Sequence, residues 1–233
     1  MVSLEEVRLL TIDLYGTLLD TQGSLLGPTT DFLMRKGFEG SPAIFLQRWQ
    51  GKTIQNTMID TLLQKGHTPF RELLRRSLVF SLREASIPFT EEEVTSLVGE
   101  WERLRPYPDV REGLLDLRAR YPLVVLSNGD PDMLAKVVPA LGVPIDRTIS
   151  AAEAGVYKPH PAVYRTAAEA LRVELSAILH VASHPFDLIG AKAAGMRTAY
   201  VDRHKTPFDE SPYTPDLVVR DFRELAARLL PKR

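Results

Sequence analysis

The feature that most constrains the fold is a short apolar run that recurs along the chain and ends at a polar residue or a loop. These runs lie at 7–13, 122–127, 177–183, 197–202 and, more weakly, 216–219. Helical patterns alternate with them, at 109–120, 131–141, 160–172, 185–195 and 221–230. Strands that alternate with helices at this spacing predict a parallel sheet covered by helices on both faces. The sequence therefore predicts a doubly wound α/β fold.

The stretch at 21–105 interrupts this alternation. It contains no convincing strand, and its apolar residues from Phe32 to Leu104 recur at helical spacing between glycines and prolines. We therefore predict four or five helices inserted after the first strand. The expected organisation is an α/β core domain at 1–20 and 106–233 with a helical cap domain at 21–105.

Composition excludes several classes of protein. The 233 residues include no cysteine, which excludes a disulfide scaffold, a cysteine zinc site and a cysteine nucleophile. With 29 basic and 30 acidic side chains, the net charge of -1 predicts no nucleic-acid partner. No stretch approaches the ~20 apolar residues of a membrane span, and the N-terminus does not resemble a signal peptide. We expect a cytoplasmic protein, not bound to a membrane, whose partner is a small molecule.

Polar residues follow the predicted strands at the edge of the sheet where ligands bind. In open α/β sheets this edge is formed by the carboxyl ends of the strands. The positions on it are Asp13, the pair Ser127-Asn128, the loop with Lys158 and the segment before Asp187. A helical insertion after the first strand would cover this edge and exclude water. We expect these positions to form one site.

Four segments resemble the motifs of the haloacid dehalogenase (HAD) superfamily, in order and in spacing. The segment DLYGTLLD at 13–20 is similar to the first motif, and SNG at 127–129 is similar to the second. Lys158 with its following proline is similar to the third motif, and Asp187 to part of the fourth. The resemblance implies a HAD-type, Rossmann-like core with an inserted helical cap, and an aspartate nucleophile at Asp13.

The side chains at these positions suit nucleophilic catalysis. A carboxylate such as Asp13 can attack carbon or phosphorus and form a covalent ester, which divides one difficult step into two. The hydroxyls of Thr17 and Ser127 can hold a carboxylate or an oxyanion, although either could instead cap a helix. The positive charge of Lys158 would keep Asp13 ionised. Taken alone, an aspartate after a strand also suits a turn.

Differences in two motifs distinguish the phosphatases of the superfamily from its dehalogenases. Phosphatases carry an aspartate as general acid two residues after the nucleophile, where this sequence has Tyr15. Their fourth motif has Gly-Asp where this sequence has Ala182 and Ser183, so one carboxylate for magnesium is missing. A halide leaves without a proton, and substitution at carbon needs no metal. Both losses favour a dehalogenase without a cofactor. The alternative is a phosphatase whose Mg²⁺ would be bound by Asp13 and Asp187.

The closest resemblance is to the L-2-haloacid dehalogenase family. The matching positions are Tyr15, Asp20, the segment at 127–129, Lys158 with Tyr164, and Phe186 with Asp187. By this resemblance, Asp13 displaces the halide from C2 of a small 2-haloacid with inversion. Water then hydrolyses the ester at the Asp13 carboxyl, assisted by Asp187 and Lys158.

The same resemblance implies the contacts of the substrate and the state of assembly. Ser127 and Asn128 would hold the substrate carboxylate or the leaving halide, and Tyr15 and Thr17 complete the expected substrate-binding residues of the first motif. The dehalogenase relatives imply a homodimer. These roles are what the family pattern implies for this sequence.

The sequence departs from the family pattern in the cap. The family has an arginine after a tryptophan, and this arginine binds the leaving halide, whereas here Trp49 is followed by Gln50. Arg48 and Lys52 lie nearby in the sequence. On a helix these two residues share a face, while residue 50 points away from it. With glutamine at position 50, the sequence does not identify which residue would bind the leaving halide.

The fourth motif departs as well, because Ala182 and His184 stand where the family has serine and asparagine. Ser183 and His184 are candidates to bind substrate or to place the hydrolytic water, and His184 could act as a base near neutral pH. His180, four residues earlier, is expected in a strand, so the two imidazoles are not expected to form a metal pair. These departures leave a third possibility, a weakly catalytic module that binds a small anion.

Overall fold

The computed structural model describes residues 6–203, 205 and 207–230. Within these residues, six strands form one sheet in the order β3-β2-β1-β4-β5-β6, and every pairing is parallel. The strands are β1 (Leu9–Ile12), β2 (Leu123–Ser127), β3 (Arg147–Ser150), β4 (Ile178–Ala182), β5 (Arg197–Val201) and β6 (Leu217–Val219). The predicted doubly wound α/β fold is confirmed.

Helices fill the inserted segment and the connections of the sheet. In the described part of the chain they are α1 (Thr21–Arg35), α2 (Pro42–Leu63), α3 (Phe70–Glu84), α4 (Glu91–Gly99), α5 (Val110–Arg118), α6 (Pro131–Val137), α7 (Pro161–Leu171), α8 (Pro185–Ala194) and α9 (Phe222–Leu229). The four helices α1–α4 and a 3₁₀ turn at Glu100–Glu102 make up the insertion. The boundaries of a core at 1–20 and 106–233 and a cap at 21–105 stay a prediction.

The central strands are apolar because both faces of the sheet are covered. Every residue of β1, β2, β4 and β5 is buried. Leu10 of β1 lies opposite Leu123 of β2 on one side and Leu179 of β4 on the other. Strand order runs outward from β1 in both directions, so a crevice opens beside the carboxyl end of β1. This crevice is where a ligand site is expected.

The insertion leaves the core and returns to it at neighbouring points. The backbone N–H of Asp20 donates to the carbonyl of Arg105 at 2.8 Å, and that of Tyr107 donates to Leu18 at 3.0 Å. Leu19 and Pro106 also form a β-bridge. The inserted helices are therefore anchored close to the loop that follows β1.

A side chain from the core caps the third inserted helix. Pro69 precedes α3 and makes no side-chain cap of its own. The carboxylate of Asp130, which follows β2, accepts hydrogen bonds from the N–H groups of Phe70 and Arg71 at 2.8 and 2.9 Å. These N–H groups otherwise lack a partner within the helix, and a negative charge is favoured at a helix N-terminus. Asp130 thereby holds the start of α3 over the crevice.

The strand β3 does not follow the sequence-based prediction. Its sequence, RTIS, shows no apolar run, and its first two residues are exposed. It lies at the edge of the sheet and pairs with β2 alone. An edge strand has fewer neighbours to bury it, so the apolar pattern that reveals the other five strands is weak here.

Across the described ranges, no helix combines the length and the apolar character that a transmembrane segment requires.

Candidate active site

Asp13 follows β1 directly and lies at the floor of the crevice. Its backbone N–H donates to the carbonyl of Val181 at 2.9 Å, which ties it to β4. The hydroxyl of Thr17 donates to Oδ2 at 2.8 Å, and the ammonium of Lys158 donates to Oδ1 at 3.1 Å. Both carboxylate oxygens are therefore held in place, and the side chain is 10% exposed.

The Lys158 ammonium lies between two carboxylates. Besides its contact with Asp13, Nζ donates to Oδ2 of Asp187 at 2.7 Å, and the lysine side chain is 1% exposed. The side-chain carbonyl of Asn128 accepts a hydrogen bond from the backbone N–H of Lys158 at 3.0 Å, which fixes the loop before α7. Burial lowers the pKa of this lysine, but the two carboxylates raise it further, so the net shift is upward. Lys158 therefore carries its charge at neutral pH.

The charge on Asp13 follows from the same pairing. Burial raises the pKa of Asp13, and the charge of Lys158 together with a hydrogen bond from His184 lowers it more. The net pKa lies below the ordinary value, so Asp13 is a carboxylate at neutral pH. Its oxygen can then attack an electrophile, as a nucleophilic carboxylate must.

Asp187 lies in the first turn of α8 and has three polar neighbours. The hydroxyl of Tyr164 donates to Oδ1 at 2.8 Å, Lys158 contacts Oδ2, and Nε2 of His180 lies 3.0 Å from Oδ2. Burial raises the pKa of Asp187, and the charges of His180 and Lys158 lower it well below its usual range. Asp187 is thus a second buried carboxylate.

The donor set does not fit a magnesium ion. Mg²⁺ needs near-octahedral coordination by oxygen atoms. Here Lys158 lies within hydrogen-bond distance of both Asp13 and Asp187, the carboxylates that the phosphatase alternative would use. The described residues contain no cluster of three or more His, Cys, Asp or Glu side chains placed to hold a metal. A metal ion bound by these two carboxylates would therefore have to compete with the Lys158 ammonium.

A cavity of about 150 Å³ opens above Asp13. Its lining residues are Asp13, Tyr15, Thr21, Gln50, Thr53, Ile54, Thr57, Phe70, Trp101, Asn128, Lys158, His184, Phe186 and Asp187. The ring of Tyr15 stacks on Phe70 at 5.7 Å and meets the edge of Trp101 at 5.5 Å, which forms a rigid aromatic wall. Pockets that bind drug-sized ligands measure about 300–1,000 Å³. The smaller volume of this cavity suits a ligand smaller than a drug molecule.

The structure brings together six of the residues proposed from the sequence. Around the cavity lie Asp13, Tyr15, Asn128, Lys158, His184 and Asp187. Thr17, Ser127 and Ser183 are buried and do not line it. The Thr17 hydroxyl orients Asp13 and accepts a hydrogen bond from the backbone N–H of Ser183 at 2.9 Å. The Ser127 hydroxyl accepts a hydrogen bond from the backbone N–H of Gly129 at 3.2 Å. Direct contact of these three with a substrate stays a prediction.

Gln50 lines the cavity, and its charged neighbours on α2 do not. Its Nε2 is buried without a hydrogen-bond partner in the described part of the chain. Arg48 instead pairs with Glu84 at 2.7 Å, and the Lys52 ammonium lies 4.5 Å from the ring of Phe80. The helical spacing predicted this separation. The cavity therefore has a neutral amide where the resemblance leads one to expect a cation.

His184 approaches the nucleophile from the start of α8. Its Nδ1 lies 3.5 Å from Oδ2 of Asp13, and its side chain is 35% exposed. A Cβ on Gly16, which has a φ of +77°, would lie 2.6 Å from Cε1 of this ring. Gly16 therefore allows both the left-handed turn and the close approach of the imidazole.

Sequence reasoning did not assign a role to His180. It is the one polar residue in the otherwise apolar sequence ILHVA of β4 and is fully buried. A buried polar side chain needs a polar partner, so a histidine within an apolar strand was the sequence signal that could have identified this residue. The identity of the partner, Asp187, depends on how α8 packs on the sheet.

Comparisons with known proteins agree with this geometry. The family model for haloacid dehalogenase-like hydrolases matches residues 7–195. Haloacetate dehalogenase H-2 of Moraxella sp. (strain B) is 30% identical, over 93% of this chain and 95% of that protein. (S)-2-haloacid dehalogenase 2 of Pseudomonas sp. (strain CBS-3) is 30% identical over 95% of both chains.

Solved structures agree in shape over nearly the whole chain. The L-2-haloacid dehalogenase of Xanthobacter autotrophicus has a TM-score of 0.85 at 28% identity and covers 95% of this chain and 97% of its own. The same protein with chloropropionic acid covalently bound has a TM-score of 0.83 at 27% identity, with the same coverage. With a matching family model, sheet and motif geometry, this chain belongs to the haloacid dehalogenase-like hydrolase family.

Proposed function

We propose that this hydrolase removes the halide from small 2-haloacids through a covalent ester on Asp13, without a metal. One observation carries the proposal: an ionised carboxylate, held at both of its oxygens, faces a small cavity with the Lys158 ammonium at its side. The names of the similar proteins, which are haloacid or haloacetate dehalogenases, support the same chemistry.

The first step is a substitution at carbon. An oxygen of Asp13 bonds to C2 of the haloacid while the carbon–halogen bond breaks, and the halide leaves with the bonding electrons and without a proton. Attack from the side opposite the halide inverts C2. The contacts from Thr17 and Lys158 orient the carboxylate before the substrate arrives, so little reorganisation is needed.

The second step hydrolyses the ester. A water oxygen adds to the carboxyl carbon of Asp13, and the bond between that carbon and the ester oxygen breaks. One proton of the water ends on the hydroxyl of the product, and His184, which is partly exposed, passes the other to solvent. Asp187 accepts a hydrogen bond from the water. Its strongly lowered pKa makes it a weak base but a good acceptor.

Tyr15 argues against phosphate-ester hydrolysis. Burial raises the pKa of its phenol well above the ordinary value, and the hydroxyl is buried without a partner in the described residues. A group that holds its proton this firmly is a poor general acid for a leaving alkoxide. It can still donate a hydrogen bond to an anion, as a halide or a carboxylate requires.

Halide release is the direct test of this function. The pure protein is incubated with 2-bromopropionate and 2-chloropropionate, and free halide is measured. An aryl phosphate is tested in parallel, with Mg²⁺ and with a chelator. Halide release that the chelator does not affect is expected. Phosphate release that the chelator abolishes, without halide, would support the phosphatase alternative, and inactivity of the folded protein with both substrates would support the anion-binding module.

Gln50 is expected to donate to the leaving halide or to the carboxylate of the substrate. Replacing it with leucine removes the buried, unpaired Nε2 and keeps the size similar. A hydrogen bond to a charged group is worth about 1.5–3 kcal/mol, so kcat/KM for halide release should fall about 10- to 100-fold. Steady-state kinetics with 2-chloropropionate measure the effect.

A matched control for this variant lies one and a half turns along the same helix. Gln55 is exposed and accepts a hydrogen bond from Lys52. Gln55→Leu should leave kcat/KM unchanged within about twofold, since surface substitutions are usually worth less than ~0.5 kcal/mol. Equal kinetics for Gln50→Leu and Gln55→Leu would remove Gln50 from the site.

The sequence-based expectations of a cytoplasmic location and of a homodimer stay predictions.

A further inference from the structure

His180 lies at the centre of the sheet, in contact with one of the two buried carboxylates. It is in the middle of β4 and is fully buried. Its Nδ1 lies 2.9 Å from the hydroxyl oxygen of Thr11, and its Nε2 lies 3.0 Å from Oδ2 of Asp187, an ion-pair distance at which Nε2 forms no hydrogen bond with any described residue. The ring of Tyr164 stands edge-on to it at 5.8 Å. The imidazole is thus clamped between β1, α7 and α8.

The charges of the active site are unbalanced without this imidazole. Asp13 and Asp187 are both carboxylates, and both rely on Lys158. The ammonium lies closer to Asp187, at 2.7 Å, than to Asp13, at 3.1 Å. A buried charge without a full partner is costly. One lysine therefore serves two buried anions and is drawn toward the one that is not the nucleophile.

Among the residues that the structure describes, no other group that faces His180 supplies a further positive charge. On the flanking strands its register neighbours are Thr11 and Thr198, which are uncharged. From α7 it faces Tyr164, whose phenol stays neutral because burial and Asp187 raise its pKa well above the ordinary value. From α8 and the loop before α7 it faces Asp187 and the already shared Lys158.

The remaining imidazole of the site is placed differently. Nδ1 of His184 lies 3.5 Å from Asp13, and this side chain is partly exposed to solvent. The backbone carbonyl of His184 accepts the N–H of Asp187 at 3.1 Å, but within the described ranges its imidazole forms no ion pair with the Asp187 carboxylate. It can exchange protons with water at the cavity. Of these two imidazoles, that of His180 is fully buried and lies against the Asp187 carboxylate.

We propose that His180 is a positioning residue that carries the second positive charge of this buried cluster. The protonated imidazole pairs with Asp187 and frees the Lys158 ammonium to hold Asp13 ionised and oriented for attack. The inference rests on the proposed function, since it concerns the nucleophile of that reaction. It adds a role for a residue that touches neither substrate nor the reacting atoms.

His180→Gln tests the charge because glutamine has a similar reach and remains neutral at every pH. Imidazole gains and loses its proton near neutral pH. The ratio of kcat/KM for halide release, wild type over variant, should be about tenfold near pH 6 and should fall toward one in alkaline solution, because a neutral imidazole has the same charge as glutamine. A purely structural defect would give a ratio that does not depend on pH.

His160→Gln is the matched control. His160 caps the start of α7 by accepting the N–H of Ala162 at 3.2 Å, and it does not line the cavity. Any effect of this variant should be the same at every pH. A pH-independent ratio for His180→Gln, or activity equal to wild type near pH 6, overturns the proposal.

A measurement on the unaltered protein keeps the proposal testable if His180→Gln does not fold. The chain has 5 histidines, so isotope labelling of the imidazoles gives few NMR signals. The signal of His180 should be that of a cationic ring near pH 6. A neutral ring at that pH overturns the inference. Absence of halide release by the wild type, in contrast, would reject the proposed function and leave this NMR result standing.

Discussion

Replacing Asp13 with asparagine is expected to abolish halide release while the fold persists. Asparagine has the shape of aspartate, but its amide is not a nucleophile and cannot form the ester with C2. Loss of a nucleophile typically lowers kcat by ~10⁴-fold or more. The Thr17 hydroxyl can still donate to the side-chain oxygen, and the amide removes one of two buried negative charges. Halide release measures activity, and thermal unfolding measures stability.

The control for this variant is the same substitution at an aspartate on the surface. Asp132 is 59% exposed and pairs with Arg71 at 2.7 Å. Asp132→Asn should keep the activity of the wild type, because the pair is far from full burial and contributes little. Measurable turnover by Asp13→Asn, at more than about a hundredth of the wild-type rate, would assign the nucleophile elsewhere.

Replacing Lys158 with methionine is expected to be the most destabilising change in the site. The variant keeps the volume but leaves Asp13 and Asp187 facing each other without their shared cation. Breaking a buried pair in this way costs about 3–5 kcal/mol in the free energy of unfolding. The nucleophile also loses the charge that keeps it ionised, so kcat should fall ~10³-fold or more.

The loss of stability in Lys158→Met should depend on pH in a defined direction. In the wild type the pKa values of Asp13 and Asp187 lie below those of the unfolded chain. Their contribution is therefore present at neutral pH and is lost as pH falls through the folded values. In the variant, burial raises both pKa values, so folding takes up protons. The difference in the free energy of unfolding should be largest near neutral pH and should shrink in acid.

Denaturant unfolding at several pH values measures this difference. Lys136→Met serves as control, since Lys136 is 54% exposed and pairs with Glu102 at the surface. A surface pair contributes about 0–1 kcal/mol. A Lys158→Met protein as stable as Lys136→Met at neutral pH would contradict the account of the buried cluster.

The sequence predicted those parts of the fold and the site that depend on local pattern. Apolar runs revealed the strands whose two faces are covered, and helical spacing revealed the insertion. Asp13 and Asp187 were proposed because one follows a strand and the other lies at the start of a helix on one edge of the sheet. Lys158 was proposed because its loop was expected on that edge and resembles the third motif of the family. Helical spacing also separated Gln50 from Arg48 correctly.

What the sequence did not reveal depends on contacts between distant segments. β3 is an edge strand, and its partial exposure removes the apolar signal. His180 meets Asp187 only because β4 pairs with β1 and α8 packs back on the sheet. The hydroxyl of Thr17 hydrogen-bonds to Asp13 and to the backbone of Ser183. The spacing of residues in the sequence does not reveal whether such a hydroxyl contacts the protein or the substrate.

A single turnover in water labelled with the heavy oxygen isotope tests the central claim most directly. The enzyme is held in excess over 2-chloropropionate, so each enzyme molecule reacts at most once. Mass spectrometry then measures the mass of the peptide that contains Asp13 and the mass of the product. If water attacks the carboxyl carbon of an Asp13 ester, the label enters the Asp13 side chain and the 2-hydroxypropionate stays unlabelled. Label in the product and none in the peptide would mean that water attacks C2 itself, and the covalent route through Asp13 would be wrong.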